Sequence, residues 1–164
     1  MRPLDRDGIR LCKIQAELFE RSVLSLDMSS EIFVRRFMKS KVAEEFDSAS
    51  ILDDTKSIED IFKDLDNQYG PSNYGSVKYD LDSMHWAGYF YRCFSYTYNL
   101  SSQQVYKILP LKDVVSVYEP YHTLDIEQSI ERLLEDKNIS FKEEDLTKKG
   151  VELLKEIRNK KKNK

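Results

Sequence analysis

Groups able to do covalent or metal chemistry are few in this chain, with 2 Cys and 2 His in 164 residues and no glycine-rich phosphate loop. Cys12 and Cys93 stand 81 positions apart, a spacing that makes neither a zinc motif nor a redox pair. Either thiol could be activated by His85 or His122, but nothing in the spacing places them together. Gly75-Ser76 followed by Asp80-x-Asp82 has the residue types of a nucleotidyltransferase turn and its two metal-binding aspartates. Only three residues separate the two parts, too few for the strand and turn that such a site needs. No arginine stands four to six residues ahead of either histidine, the spacing used by all-α HEPN-type ribonucleases. The expectation is a protein with no catalytic residues, no metal site and no cofactor.

Binding chemistry is better supplied. Arg35 and Arg36 sit together in Ser30-Glu31-Ile32-Phe33-Val34-Arg35-Arg36-Phe37-Met38. They read either as an exposed strip beside a buried apolar face or as a bidentate grip on a carboxylate or phosphate. Nine of the 19 aromatic residues fall between Tyr74 and Tyr98. As a helix this segment is apolar nearly all round, with a more polar edge of His85, Tyr89, Arg92 and Tyr96. If the segment is core, its rings contribute apolar area and Arg92 pairs with a carboxylate. If its edge faces outward, the same residue types are those enriched at interface hot spots. His122 opens a helix in Tyr121-His122-Thr123-Leu124-Asp125, a place suited to a capping bond rather than proton transfer. The candidate partner-binding residues are therefore Arg35, Arg36, Tyr89, Arg92, Tyr96 and His122. A DNA-binding alternative exists in the two short helices joined at Pro110, which outline a helix-turn-helix with Gln103, Gln104 and Lys107 available to bases or phosphates. Its turn has no glycine and its second helix no arginine.

The elements that must position these residues are written in helical periods and caps. Ile9, Cys12, Ala16, Phe19, Val23 and Leu26 recur at steps of three and four. After Ser29-Ser30, either of which can cap a helix, Phe33, Phe37, Met38, Val42 and Phe46 predict a second one. Ser57 with Asp60 and Ser101 with Gln104 are capping boxes, opening short helices through Leu65 and Ile108. The stretch 69–76 reads as a loop with a tight turn. For Asp80 to Tyr98 a strand is the alternative, since aromatics favour sheets. The steps Ala87, Tyr91, Phe94, Tyr98 favour a helix. Pro110 is placed to open a helix over Leu111 to Tyr118 and Pro120 to end it. Thr123 or Asp125 then caps a helix through Ile126, Ile130, Leu133 and Leu134, and Leu146, Val151, Leu154 and Ile157 predict the last. The predicted fold is all-α, a compact single domain of seven or eight helices around a central aromatic helix. Residues 1–141 form the helical domain, and 142–164 a charged C-terminal helix with a basic tail.

Charge narrows the partner. Lys+Arg 26 against Asp+Glu 29 leaves a net of -3, and from position 142 onward nine basic and five acidic residues give +4, so the first 141 residues carry -7. An acidic body does not attract nucleic acid or an anionic membrane. No apolar run approaches the ~20 residues of a membrane span, and no signal-peptide pattern opens the chain, so a cytoplasmic protein is expected. Outward-facing aromatics would permit a homodimer, although no sustained heptad predicts a coiled coil.

Four strings together resemble a small family of Gram-positive bacteria. They are residues 29–38, Trp86-x-x-Tyr89-x-Tyr91-Arg92, Ser101-Ser102-x-Gln104-Val105-Tyr106-Lys107-Ile108, and Tyr121-His122-Thr123-Leu124-Asp125. The family sits in toxin–antitoxin-type operons near predicted ADP-ribosyltransferase-like toxins, and the resemblance covers roughly residues 9 to 136. It implies a non-catalytic antitoxin or accessory subunit whose partner is the cognate toxin, and it brings no active-site residues. Cys93 stands where a second aromatic often follows the Tyr-Arg pair, and the charged extension after Ile139 lies outside the resemblance. The expected function is neutralisation of a partner toxin by covering its cleft, with operator DNA as a possible second partner.

Overall fold

The computed structural model of the chain describes residues 1–141 and 143–163. Among them there are ten α-helices, one 3-10 turn and no strand, so the protein is all-α as its periodicity predicts. The seven or eight expected helices become ten, with the chain broken between α2 and α3 and again at Val117. By packing, the chain forms two compact units, Met1–Ile130 and Glu131–Lys164, whereas charge alone sets a boundary after residue 141.

In the first unit, helix α1 (Arg6–Ser25) starts at Asp5, whose carboxylate accepts from the Gly8 N–H at 3.0 Å. Helix α2 (Ser30–Met38) is capped by Ser29, and α3 (Lys41–Asp47) by Ser40. The single helix expected over Phe33 to Phe46 is therefore broken. The Ser40 hydroxyl accepts from the Ala43 N–H at 3.0 Å and donates to the Phe37 carbonyl at 2.7 Å, offering the backbone a local alternative to continued helix. A 3-10 turn (Ser50–Asp53) follows Ala49, whose φ is 63°. Helix α4 (Ile58–Tyr69) opens on the Ser57/Asp60 capping box.

The loop after α4 runs back over the start of α2. Carbonyls of Tyr74 and Val77 accept from the Ser29 and Ser30 N–H groups, and the Tyr79 N–H donates to the Ser30 hydroxyl. Backbone oxygens thus occupy orphan donors that a helix N-terminus leaves open.

Helix α5 (Leu81–Tyr98) is the central element, and the strand alternative fails. Asp80 caps it and Asn99, in the left-handed region, ends it. Twelve of its 18 residues are buried. Helix α6 (Ser102–Ile108) opens on the Ser101/Gln104 box, and Pro110 occupies the N-cap of α7 (Leu111–Ser116). The chain then breaks at Val117 before the single turn α8 (Tyr118–Tyr121), so Pro120 lies inside that turn rather than ending α7. There its missing N–H costs nothing, because first-turn donors are unpaired in any case. Of the two candidate caps for α9 (Ile126–Asp136), Asp125 is the one that accepts, from the Glu127 N–H at 2.9 Å. Packing centres on Phe19, whose ring meets Phe33 and Phe37 edge-on, each at 5.5 Å. Such pairs add about 0.5–1.5 kcal/mol each beyond area burial.

In the second unit, α10 (Glu143–Lys162) ends in Lys160, Lys161 and Lys162, cations that suit a helix C-terminus. Val151, Leu154 and Ile157 lie on it at three-residue steps and are exposed. No helix among the described residues is long and apolar enough to cross a membrane.

Candidate functional site

The polar edge of α5 expected to face a partner faces α1 instead over most of its length. The two helices run antiparallel with small residues at the crossing: a side chain at Gly88 would meet the Gln15 carbonyl oxygen at 2.6 Å, and one at Gly8 would meet the Tyr96 ring at 2.6 Å. Close approach puts the edge residues in register with polar groups of α1. Tyr96 is 7% exposed. Its hydroxyl donates to Asp5 at 2.6 Å, and the Arg2 guanidinium lies 3.9 Å from its ring centroid. The Tyr96 hydroxyl and the Gly8 N–H together hold the Asp5 carboxyl below its ordinary value.

Arg92 is the larger correction. It is 1% exposed, and its guanidinium ties four helices. Nε donates to Gln15 at 2.8 Å, Nη1 to Asp47 at 2.7 Å and to Ser95 at 3.2 Å, and Nη2 to Ser102 at 2.6 Å. Asp47 in turn accepts from the Ser102 backbone and hydroxyl. Burial lowers the Arg92 pKa while Asp47 opposes the shift, and a guanidinium stays charged in either case. The Gln15 amide pays for its place here, since its Nε2 is buried with no hydrogen-bond partner among the described residues. Arg92 and Tyr96 are thus buried and paired within the chain, with acceptors supplied by α1, α3 and α6.

The remaining candidates scatter. Arg36 is half-buried and donates to the Gly70 carbonyl at 2.8 Å, pinning the loop after α4. Arg35 is exposed on α2, close enough to Tyr106 for its charge to be felt there. Gln103 and Lys107 are exposed on α6, but Gln104 spends its carbonyl oxygen on the Ser101 N–H at 2.9 Å.

Arg92 and Tyr96 share a small hollow of ≈ 190 Å³ with Arg2, Asp47 and Asn99, and Tyr89 and His122 are brought together in a cleft at the N-terminal half of α5. Its volume is ≈ 360 Å³. One wall is Asp82, His85, Trp86 and Tyr89 of α5; the other is Tyr118 and His122, with Leu124 and Ile126 beside them. The rings form a connected surface. Trp86 meets Tyr118 edge-on at 5.8 Å, and His122 stacks on Tyr118 at 4.7 Å with 28° between planes. The stack follows from the sequence, since Tyr118 and His122 are four apart around one helical turn. Both histidines of the chain line this cleft.

Its electrostatics are consistent in sign. Partial burial pushes the Tyr89 phenol up to about 12, with Cys12, Cys93 and Asp125 adding to the shift, so it stands as a neutral hydroxyl. The Tyr118 phenol is also raised, by desolvation and then by the charges of Asp82, Glu119 and Asp80. His122 Nδ1 lies 2.9 Å from the carbonyl oxygens of both Tyr118 and Glu119, so Nδ1 carries the proton and Nε2 is the acceptor in the neutral ring. His85 Nδ1 likewise faces the Glu20 carboxylate at 3.1 Å. No group of three or more metal-ligating side chains is assembled among the described residues. The two thiols are both buried; a hydrogen bond to Cys12 and burial keep the Cys93 thiol protonated.

A larger hollow of ≈ 540 Å³ between α3 and α4 is less informative. Its Lys56 already bridges Glu45 at 3.1 Å and Asp64 at 3.0 Å. Charges that satisfy one another leave little for a ligand.

Sequence reasoning missed Trp86, Tyr118 and Asp82 as members of one site. The i,i+4 pair Tyr118/His122 was a usable signal for the second wall, but its meeting with Trp86 depends on the break at Val117. Fold and site together define an all-α protein with an acidic, aromatic-lined cleft. Compared with protein-family models, curated proteins and solved structures, the chain matches none.

Proposed function

We propose that this chain is a non-catalytic protein-binding subunit of a toxin–antitoxin-type pair, acting in the cytoplasm as the component that neutralises its partner toxin. The observation that supports this reading is the cleft at the N-terminal half of α5. Trp86, Tyr89 and Tyr118 are half-buried there rather than packed away, and Trp and Tyr in such positions are the residue types that anchor protein interfaces. Net negative charge in the body of the chain complements the positive clefts of proteins that bind nucleotides or nucleic acid.

The test is co-purification of the tagged chain from its native host, read by native mass spectrometry, together with co-expression against the neighbouring gene. A stoichiometric partner encoded next door, whose toxicity the chain relieves, is the expected outcome. Tyr118→Ala should release the partner without loss of helicity. A chain that arrives alone, or one whose own expression harms cells, contradicts the proposal.

A further inference from the structure

The cleft on α5 has a composition that selects the chemistry of what enters it. Its rings offer π faces, which attract cations. Its carboxylate is Asp82, and the charges of Asp80, Glu119 and Asp125 reach its tyrosines. Its imidazoles are held by their Nδ1 atoms, His85 to the Glu20 carboxylate and His122 to the Tyr118 and Glu119 carbonyls. No lysine or arginine lines it. Phosphate and carboxylate groups thus meet Asp82 with no lysine or arginine to offset it, and a neutral apolar side chain would leave Asp82 unanswered on binding. A guanidinium answers each feature. It is planar and stacks on aromatic faces, it has five donors and no acceptor, and it sheds water more readily than an ammonium.

We infer that the cleft is a receptor for an arginine side chain of the partner protein, stacked on the Trp86/Tyr118 surface and paired with Asp82. This rests on the reading of the cleft as the partner-binding face and names the group that enters it. The site is unlike that of Arg92 in the same chain, whose guanidinium is enclosed by acceptors from its own helices. Here the acceptors and the rings are present and the guanidinium must come from outside.

Trp86 is the one tryptophan of the chain, so its emission reports on this cleft alone. The full-length protein is titrated with acetyl-Gly-Arg-Gly-amide and with the same peptide carrying citrulline, which keeps the shape and loses the charge. A saturable change in Trp86 emission with the arginine peptide is expected, with the citrulline peptide at least about tenfold weaker, the equivalent of about 1.4 kcal/mol. Asp82→Asn, an exposed position in the first turn of α5 that leaves the Asp80 cap in place, should lower affinity for the arginine peptide several-fold and leave that for citrulline unchanged. Equal affinity for the two peptides, tighter binding of a glutamate peptide, or no saturable response overturns the inference, and the wild-type comparison needs no variant to fold. A partner that docks through the cleft while arginine and citrulline stay indistinguishable removes this inference and leaves the proposed function. An arginine peptide that binds in a chain with no protein partner does the reverse.

Discussion

Helix α5 carries two polar aromatic regions that differ in who completes them. Towards its C-terminal half, Arg92 and Tyr96 are buried against α1, α3 and α6 beside a hollow of only ≈ 190 Å³, and nearly every donor finds an acceptor within the chain. At its N-terminal half, Trp86, Tyr89 and Asp82 line an open cleft with the single turn α8 and the start of α9, and His85 at its rim reaches Glu20 of α1 at 3.1 Å. The residue types are alike. What separates a keystone from a docking surface is whether neighbouring elements bring matching groups close enough: α1, α3 and α6 do so around Arg92 and Tyr96, whereas at the cleft α1 answers His85 through Glu20.

The largest expected effect lies at the closed end. Asp47→Ala strands the buried Arg92 charge and should cost about 3–5 kcal/mol, the usual consequence of removing one partner from a buried pair, read as a lower midpoint in chemical denaturation. Next is Gly88→Ala, which drives a methyl into the α1 backbone. Overpacking of roughly 1–3 kcal/mol outweighs the about 1 kcal/mol gained in helix propensity, so net destabilisation is expected on the same measurement. At the open end, Tyr118→Ala should change stability by about 1 kcal/mol or less while removing the Trp86 response to an arginine peptide. If it unfolds the chain instead, the two ends of α5 are not different in kind.

The smallest effect is a pH dependence. Asp5 has its carboxyl depressed below 3.8 by the Tyr96 hydroxyl and the Gly8 N–H. A depressed carboxyl binds fewer protons folded than unfolded, so its contribution is present above the ordinary carboxylate value and is lost as pH falls through the folded one. Acid titration of stability should show this loss in the wild type and less of it in Tyr96→Phe.

Most of the fold was legible because it is local. Caps at Ser29, Ser57 and Ser101 and the three-and-four apolar steps mark helices that the structure contains. The breaks at Ser40 and Val117 were not legible, since a serine or valine within a helical period gives no outward sign of interrupting it. The burial of Arg92 was illegible for a deeper reason. Its acceptors, Gln15, Asp47 and Ser102, lie 77, 45 and 10 positions away, and only tertiary packing brings them together. Residue type alone marks Tyr89 and His122 as binding residues, and they share a cleft whose other wall needs the chain to turn at Val117.

The division of α5 into a closed half and an open half is tested most directly by hydrogen–deuterium exchange of the full chain, free and bound to the partner that co-purifies with it. The account predicts new protection confined to segments 82–89 and 118–126, with segments 5–16 and 92–102 unchanged. Protection centred on α1, or on α6 around Gln103 and Lys107 with none in the cleft, would contradict it.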